Sequence, residues 1–227
     1  MMLSYLKQSW FFFRRNITTI AAIQLPFIIT LNLLFTQLDF SAGQQNSQQL
    51  TDSLMMITLF NLAMMPIYWG ATIIFMQSSV EGKAYTASQA LLGSLKYWPK
   101  LFLIFTLTSF GIFAGLMAFV LPGIYIAIRL ALADYYCIIK GQNAMSSLKQ
   151  SWSETQEYFW LLLQGLCAIF LGSLALEFIT LHLLSSVFNN SIAVQLPVNV
   201  AFDLFNSMLT IYAFRIFCLI EKEKAPL

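Results

Sequence analysis

Residues 101–120 read LFLIFTLTSFGIFAGLMAFV, a run without one ionisable side chain. An α-helix needs about 20 apolar residues to cross the hydrocarbon core of a bilayer, and this run has that length. Apolar residues make up 59% of the 227-residue chain and charged residues 10%, against roughly 25% charged residues in an ordinary soluble domain. The composition therefore excludes a soluble globular enzyme, a disordered chain and a secreted disulfide scaffold, and it indicates an integral membrane protein.

Five further segments share the apolar character of this run. Backbone polar groups in lipid must be paired within the protein, so each segment is expected to be a helix, and none alternates with the period of a barrel strand. The predicted spans are Ile17–Thr36, Leu54–Met76, Leu101–Val120, Gly123–Ile139, Phe159–Leu181 (with an extension to Phe188 left open) and Pro197–Leu219. The expected fold class is an all-α bundle of six transmembrane helices.

The third and fourth spans are predicted to form an antiparallel helical hairpin. Only Leu121-Pro122-Gly123 separates them, and Pro followed by Gly is a signal for a tight turn. Gly111 and Gly115 form a G-x-x-x-G pattern in the third span. Small residues at this spacing allow a close helix approach, either to the fourth span or to a second chain.

The distribution of Lys and Arg predicts the orientation. With the N-terminus placed in the cytoplasm, the basic residues outside the spans fall in or beside cytoplasmic segments, and the outer loops 37–53 and 182–196 contain none. Cytoplasmic loops of membrane proteins carry the excess of Lys and Arg. We therefore predict that both termini are cytoplasmic.

A short pattern recurs before each odd-numbered span. Residues 4–10 and 146–152 both read S-x-L-K-Q-S-W, and residues 93–98 (GSLKYW) are a looser copy. In each copy a Leu and a Trp share one helical face beside a Lys, which suits a helix lying in the headgroup layer. The pattern predicts three amphipathic cytoplasmic interfacial helices, with Lys7, Trp10, Lys96, Trp98, Lys149 and Trp152 as anchors. It also divides the single membrane domain 1–227 into units 1–76, 77–140 and 141–227.

A family-like pattern extends from the fourth predicted span into the segment that follows it. It consists of residues 121–130 (LPGIYIAIRL), Asp134, residues 140–144 (KGQNA) and residues 147–152 (SLKQSW). This stretch resembles the conserved pattern of the YciC-like multi-pass inner-membrane proteins, a largely uncharacterised family. That family is similar in turn to the membrane domain of some bacterial glycerophosphodiester phosphodiesterases. This chain departs from the pattern at Glu157, where a small residue is usual. The resemblance implies a bacterial inner membrane and transfers no catalytic residue.

Besides Arg215, which is one helical turn from the inner end of the sixth span, four charged side chains fall inside the predicted spans, where charge is unfavourable and often functional. They are Arg129, Asp134, Glu177 and Asp203. Counting helical rise from the outer ends of the spans places Arg129 level with Asp203 and close to Glu177. We therefore expect an Arg129–Asp203 pair, which is either a polar site for a headgroup or ion or a structural pin. Asp134 is expected to snorkel to the inner surface or to meet Lys140.

Known catalytic motifs are missing from the sequence. It contains no phosphate-binding loop, zinc-protease motif or nucleophile elbow, and it has one His and three widely separated Cys. The prediction is a non-enzymatic protein without cofactor, metal or nucleic-acid partner, with a scaffolding, envelope-maintenance or lipid-organising role. The alternative is a small transporter or lipid translocator that uses the intramembrane charges. The expected partners are the lipid bilayer, with anionic headgroups at the cytoplasmic face, and a membrane protein or a second copy of the chain.

Overall fold

The computed structural model describes residues 2–41, 46–83, 85–188 and 192–224, and within these ranges the chain is helical without a strand. The helices are α1 (Met2–Ser41), α2 (Ser47–Val80), α3 (Ala87–Leu95), α4 (Trp98–Ala118), α5 (Val120–Leu130), α6 (Ala133–Ile139), α7 (Ala144–Phe188), α8 (Ile192–Phe205) and α9 (Ser207–Lys224).

Six stretches of these helices are long and apolar enough to cross a membrane. They are Met2–Leu38, Ser47–Val80, Trp98–Ala118, Val120–Ile139, Ala144–Leu184 and Val194–Lys224. Each contains or closely overlaps one predicted span. The prediction of an all-α bundle with six transmembrane helices is therefore confirmed.

The three copies of the sequence repeat lie in different local structures. In α1, Asn16 leaves the helical region (φ −115°, ψ 16°) and separates the first copy from the span that follows. The second copy spans the junction of two helices: its first residues end α3, Lys96 is the C-cap of α3, and Trp98 begins α4. The third copy runs without a break into the long helix α7. The placement of these segments in a headgroup layer stays a prediction.

The predicted hairpin is present, but its turn lies earlier than expected. Phe119 is extended (φ −168°, ψ 161°) between α4 and α5, and Pro122 lies in the first turn of α5. Proline fits there because a first-turn N–H has no acceptor within the helix. A Cβ on Gly115 would lie 2.8 Å from the Cα of Gly123. The small residues of the third span therefore pack against the fourth span of the same chain.

The fourth span is interrupted, and α7 fills the interruption. The hydroxyl of Ser151 donates to the carbonyl of Arg129 (2.9 Å) and accepts from the N–H of Leu132 (3.2 Å). The hydroxyl of Thr155 donates to the same carbonyl at 3.0 Å. Irregular backbone at membrane depth is tolerated where it is buried in protein or faces a water-filled cavity. The break between α5 and α6 is buried in protein, because side chains of α7 bind its polar groups.

One end of the bundle is held by ionic contacts between α6, α7 and α9, and we call it the basic end. Lys140 pairs with Glu221, and Lys224 pairs with Glu154. The core lies further inside, where the buried hydroxyl of Tyr135 donates to the carbonyl of Thr210 at 2.7 Å. These contacts attach α6 and α7 to α9 along the length of α9.

Candidate functional site

Arg129 lies near the basic end and not beside the acidic side chains of the other spans. The main-chain carbonyl of Arg129 accepts a hydrogen bond from Thr155. Thr155 directly follows Glu154, which forms an ion pair with Lys224 at the basic end. Glu177 lies 22 residues beyond Thr155 on the same helix (177 − 155), which is about 33 Å at 1.5 Å per residue. Among the side chains that the structure describes, Arg129 has no carboxylate partner. The expected Arg129–Asp203 pair therefore does not form.

The reason for this difference is the unequal length of the spans. The depth count placed the outer ends of all spans in one plane. In the structure, Tyr125 of α5 already contacts Phe159 of α7, with ring centroids 5.2 Å apart. Helix α7 continues from there to Phe188, well past the α4–α5 hairpin. Equal distances from the outer span ends therefore do not correspond to equal depths.

The guanidinium group of Arg129 packs against two aromatic rings. Its Cζ lies 4.9 Å from the ring centroid of Trp152 and 5.5 Å from that of Tyr125, and the residue is 4% exposed. Its buried Nε has no hydrogen-bond partner among the described residues. The attraction of a cation to the face of an aromatic ring is thus the main interaction of this charge. This packing supports the interpretation of Arg129 as a structural pin.

A polar cavity of about 460 Å³ lies in the other half of the bundle, between α1, α2, α7 and the junction of α8 with α9. Its polar lining consists of Gln24, Asn32, Asn61, Tyr68, Asp203, Asn206 and Ser207. Within the described part of the chain, this lining includes one carboxyl group and no Lys or Arg. The charge in the cavity is therefore negative or neutral, and it favours a cationic or uncharged occupant.

Asp203 is exposed at this cavity, and its Oδ2 accepts a hydrogen bond from Asn32 Nδ2 at 2.7 Å. Three other oxygens have no partner among the described residues, namely Asn61 Oδ1, Asn206 Oδ1 and Ser207 Oγ. Buried polar atoms in proteins are nearly always hydrogen-bonded to protein or water. These three buried oxygens beside the cavity therefore lack the partner that such atoms usually have.

The junction of α8 and α9 brings three of the polar side chains to the cavity. Helix α8 ends at Phe205 and α9 begins at Ser207, with Asn206 between them. The N–H of Asn206 donates to the carbonyl of Phe202 (2.9 Å), and the N–H of Leu209 donates to the carbonyl of Asn206 (3.0 Å). Discontinuous helices of this kind form substrate sites in many transporters because both half-helix ends face the site.

The remaining two intramembrane acids occupy different places. Glu177 is close enough to Asp203 for the two carboxyl groups to interact electrostatically. Asp134 is buried at the start of α6, where its Oδ1 accepts from the N–H of Tyr135 at 3.2 Å. Of the two expectations for Asp134, a snorkelling side chain or a contact with Lys140, the second is not observed, because Lys140 pairs with Glu221. The four intramembrane charges are therefore split between three environments.

The tryptophans predicted as interfacial anchors all make contacts within the bundle. Trp10 packs edge-on against Phe205 of α8, with ring centroids 6.2 Å apart, and Trp152 covers Arg129. The indole N–H of Trp98 donates to the carbonyl of Ala63 at 2.8 Å. The accompanying Lys7, Lys96 and Lys149 are exposed. An interfacial role for these residues stays a prediction.

The sequence interpretation missed the α1 and α2 walls of the cavity. Gln24 and Asn32 are eight residues apart and lie on one helical face, and Asn61 and Tyr68 are separated by seven. Polar side chains at these spacings in apolar spans mark one face of each helix. Counting ionisable residues alone overlooked this signal. The described side chains include no group of three or more His, Cys, Asp or Glu that could hold a metal ion.

Known proteins similar to this chain are bacterial membrane proteins. The uncharacterised protein family UPF0259 matches residues 39–219. A UPF0259 membrane protein of Photorhabdus laumondii is 28% identical over 155 residues, covering 68% of this chain and 59% of the relative. A UPF0259 membrane protein of Buchnera aphidicola subsp. Schizaphis graminum is 29% identical over 154 residues, covering 65% of this chain and 59% of the relative. The chain thus spans about three-fifths of the length of these relatives. No solved structure matches it significantly.

Proposed function

This chain belongs to the uncharacterised protein family UPF0259, whose name assigns no activity, and we propose its function from the polar cavity. The chain acts as a small transporter or lipid translocator that binds a protonated amine beside Asp203. Membership of UPF0259 agrees with the resemblance, seen in the sequence, to an uncharacterised family of bacterial membrane proteins. The similarity to the membrane domain of glycerophosphodiester phosphodiesterases stays a prediction. The proposal also places the protein in the inner membrane, with the basic end in the cytoplasm.

The observation that carries the proposal is the set of acceptors around the cavity. An ammonium group presents several N–H donors and no acceptor. Asp203 supplies a carboxylate, and Asn61, Asn206 and Ser207 supply oxygens without partners among the described residues. A volume of about 460 Å³ lies in the usual range for small-ligand sites. Because the described residues that line the cavity include no basic side chain, an anionic ligand would have no counter-charge among them.

A protonated amine can come from a free solute or from an aminophospholipid headgroup, and a transport assay with two arms distinguishes them. The purified chain is reconstituted in vesicles of phosphatidylcholine and phosphatidylglycerol. One arm measures uptake of radiolabelled methylammonium. The other measures translocation of phosphatidylethanolamine carrying a fluorophore on its acyl chain, with acyl-labelled phosphatidylglycerol as the comparison. We expect one of the two amines to move at least tenfold faster than in protein-free vesicles.

The variant Asp203→Asn removes the charge and is expected to return that rate to the background. The matched control is Asp52→Asn, because Asp52 is an exposed carboxylate on α2 that accepts a hydrogen bond only from its neighbour Gln48, among the contacts described. The control should transport like the unmodified chain. Absence of transport in both arms, or equal rates in the two variants, would contradict the proposal.

A scaffolding, envelope-maintenance or lipid-organising role is the second candidate, and the basic end favours it. The packing of Arg129 against Trp152 and the ion pairs of Lys140 and Lys224 hold this end of the bundle together. Its partners would be anionic headgroups, a membrane protein or a second copy of the chain. A defined protein that co-purifies from native membranes with both the unmodified chain and Asp203→Asn would support this candidate over transport.

A further inference from the structure

A second cavity, of about 330 Å³, lies between α2, α5, α6, α7 and α9. Trp69, Phe170 and Leu209 line both this cavity and the polar one, so these side chains form the wall between them. In contrast to the polar cavity, most of the second lining is aliphatic or aromatic. We call it the Asp134 cavity, after the one charged residue in its described lining.

Asp134 and Thr210 supply the polar atoms that matter in this cavity. Asp134 is 9% exposed and accepts one main-chain hydrogen bond, from Tyr135. Thr210 is 3% exposed, and its Oγ1 has no hydrogen-bond partner in the described structure. The part of the lining that the structure describes contains no Lys, Arg or His. The charged form of a buried carboxyl group is unfavourable unless a cation pairs with it, and the described lining supplies no such cation.

We infer that the Asp134 cavity binds a hydrophobic organic cation. The ammonium group would lie between the Asp134 carboxylate and the Thr210 hydroxyl. The rings of Trp69, Tyr135 and Phe170 line the cavity and would attract the cation through their faces. Apolar groups of the ligand would contact the aliphatic remainder of the lining. This site differs from the polar cavity in the size and polarity of its ligand, and it does not depend on transport through Asp203.

The probe for this site is benzyltrimethylammonium, which combines a fixed positive charge with one aromatic ring. Its uncharged carbon isostere, neopentylbenzene, has the same shape. Binding to the purified chain in detergent micelles is measured by saturation-transfer NMR titration. We expect saturable binding of the cation, weakened at least tenfold by Asp134→Asn, with no competition from neopentylbenzene. The matched control Asp52→Asn, at an exposed carboxylate outside both cavities, should bind the cation like the unmodified chain, and Asp203→Asn shows whether the probe occupies the polar cavity instead.

The variant Ala127→Leu tests the cavity without changing its charge. Ala127 is a half-buried wall residue, and a larger side chain there should also abolish binding. If Asp134→Asn elutes as an aggregate, Ala127→Leu still tests whether the cation binds in the Asp134 cavity. Equal binding in the unmodified chain and Asp134→Asn, or competition by neopentylbenzene, would show that the charge of Asp134 does not bind the cation and would overturn the inference. Loss of binding in Asp203→Asn alone would assign the probe to the polar cavity and overturn the inference.

Discussion

Arg129 and Asp203 are both charged side chains in predicted spans, yet their surroundings are opposite. Arg129 is 4% exposed and packs against the rings of Tyr125 and Trp152. Asp203 is exposed beside a polar cavity in which several oxygens lack partners among the described residues. The first arrangement leaves no room for a ligand, and the second leaves room and acceptors. An intramembrane charge therefore indicates a functional site only when its environment is open to a ligand.

The two halves of α7 account for much of this contrast. In the first half, Ser151, Thr155 and Leu162 are buried, and two of them bind the break between α5 and α6. In the second half, Phe170 and Phe178 are exposed, and the helix extends past the hairpin. The packed half holds Arg129 in place, whereas the outer half leaves space beside α1 and α8.

The largest expected effect in this comparison comes from Trp152→Ala. Removing the indole exposes the guanidinium of Arg129 and should lower the free energy of unfolding by about 3 kcal/mol, through lost packing and lost cation–π attraction. Chemical unfolding in detergent micelles measures the change. The control is Trp160→Ala on the same helix, because Trp160 is 69% exposed and its removal should matter little. If both variants lose the same stability, Arg129 is not held by Trp152.

A smaller loss is expected from Ser151→Ala. This change leaves the N–H of Leu132 without its side-chain acceptor and removes one donor to Arg129, which should lower the free energy of unfolding by about 1–2 kcal/mol. Ser153→Ala, at an exposed position of the same helix, should leave stability unchanged in the same unfolding experiment. An unchanged unfolding midpoint for Ser151→Ala would mean that the break needs no support from α7.

The smallest effect on stability is expected from Asp203→Asn. The amide oxygen of the new side chain can still accept from Asn32, so the free energy of unfolding should change by less than about 1 kcal/mol. The same variant should lose amine transport. Chemical unfolding of Asp203→Asn and Trp152→Ala in the same detergent checks whether Asp203 serves transport and Trp152 serves stability. A loss as large as that of Trp152→Ala would instead make Asp203 a second structural pin.

The separation of the two charges could not be predicted by counting residues. Helical rise gives depth only when the helices end in a common plane, and α5 with α6 is much shorter than α7. The turn at Phe119 was missed for a related reason, since Pro122 is compatible both with a turn and with the first helical turn. The amides of Gln24 and Asn32 were visible in the sequence, but their role depends on which helix lies opposite them.

The sequence by itself determined the class of protein, the number of spans and the hairpin between the third and fourth spans. These follow from apolar runs and small residues, because transfer into lipid depends on the composition of each segment and needs no knowledge of its neighbours. Only the tertiary structure decided that Arg129 meets Trp152, that Asp203 meets Asn32, and where the cavities lie. Those outcomes depend on helix lengths, breaks and relative positions, which arise from the packing of segments far apart in the chain.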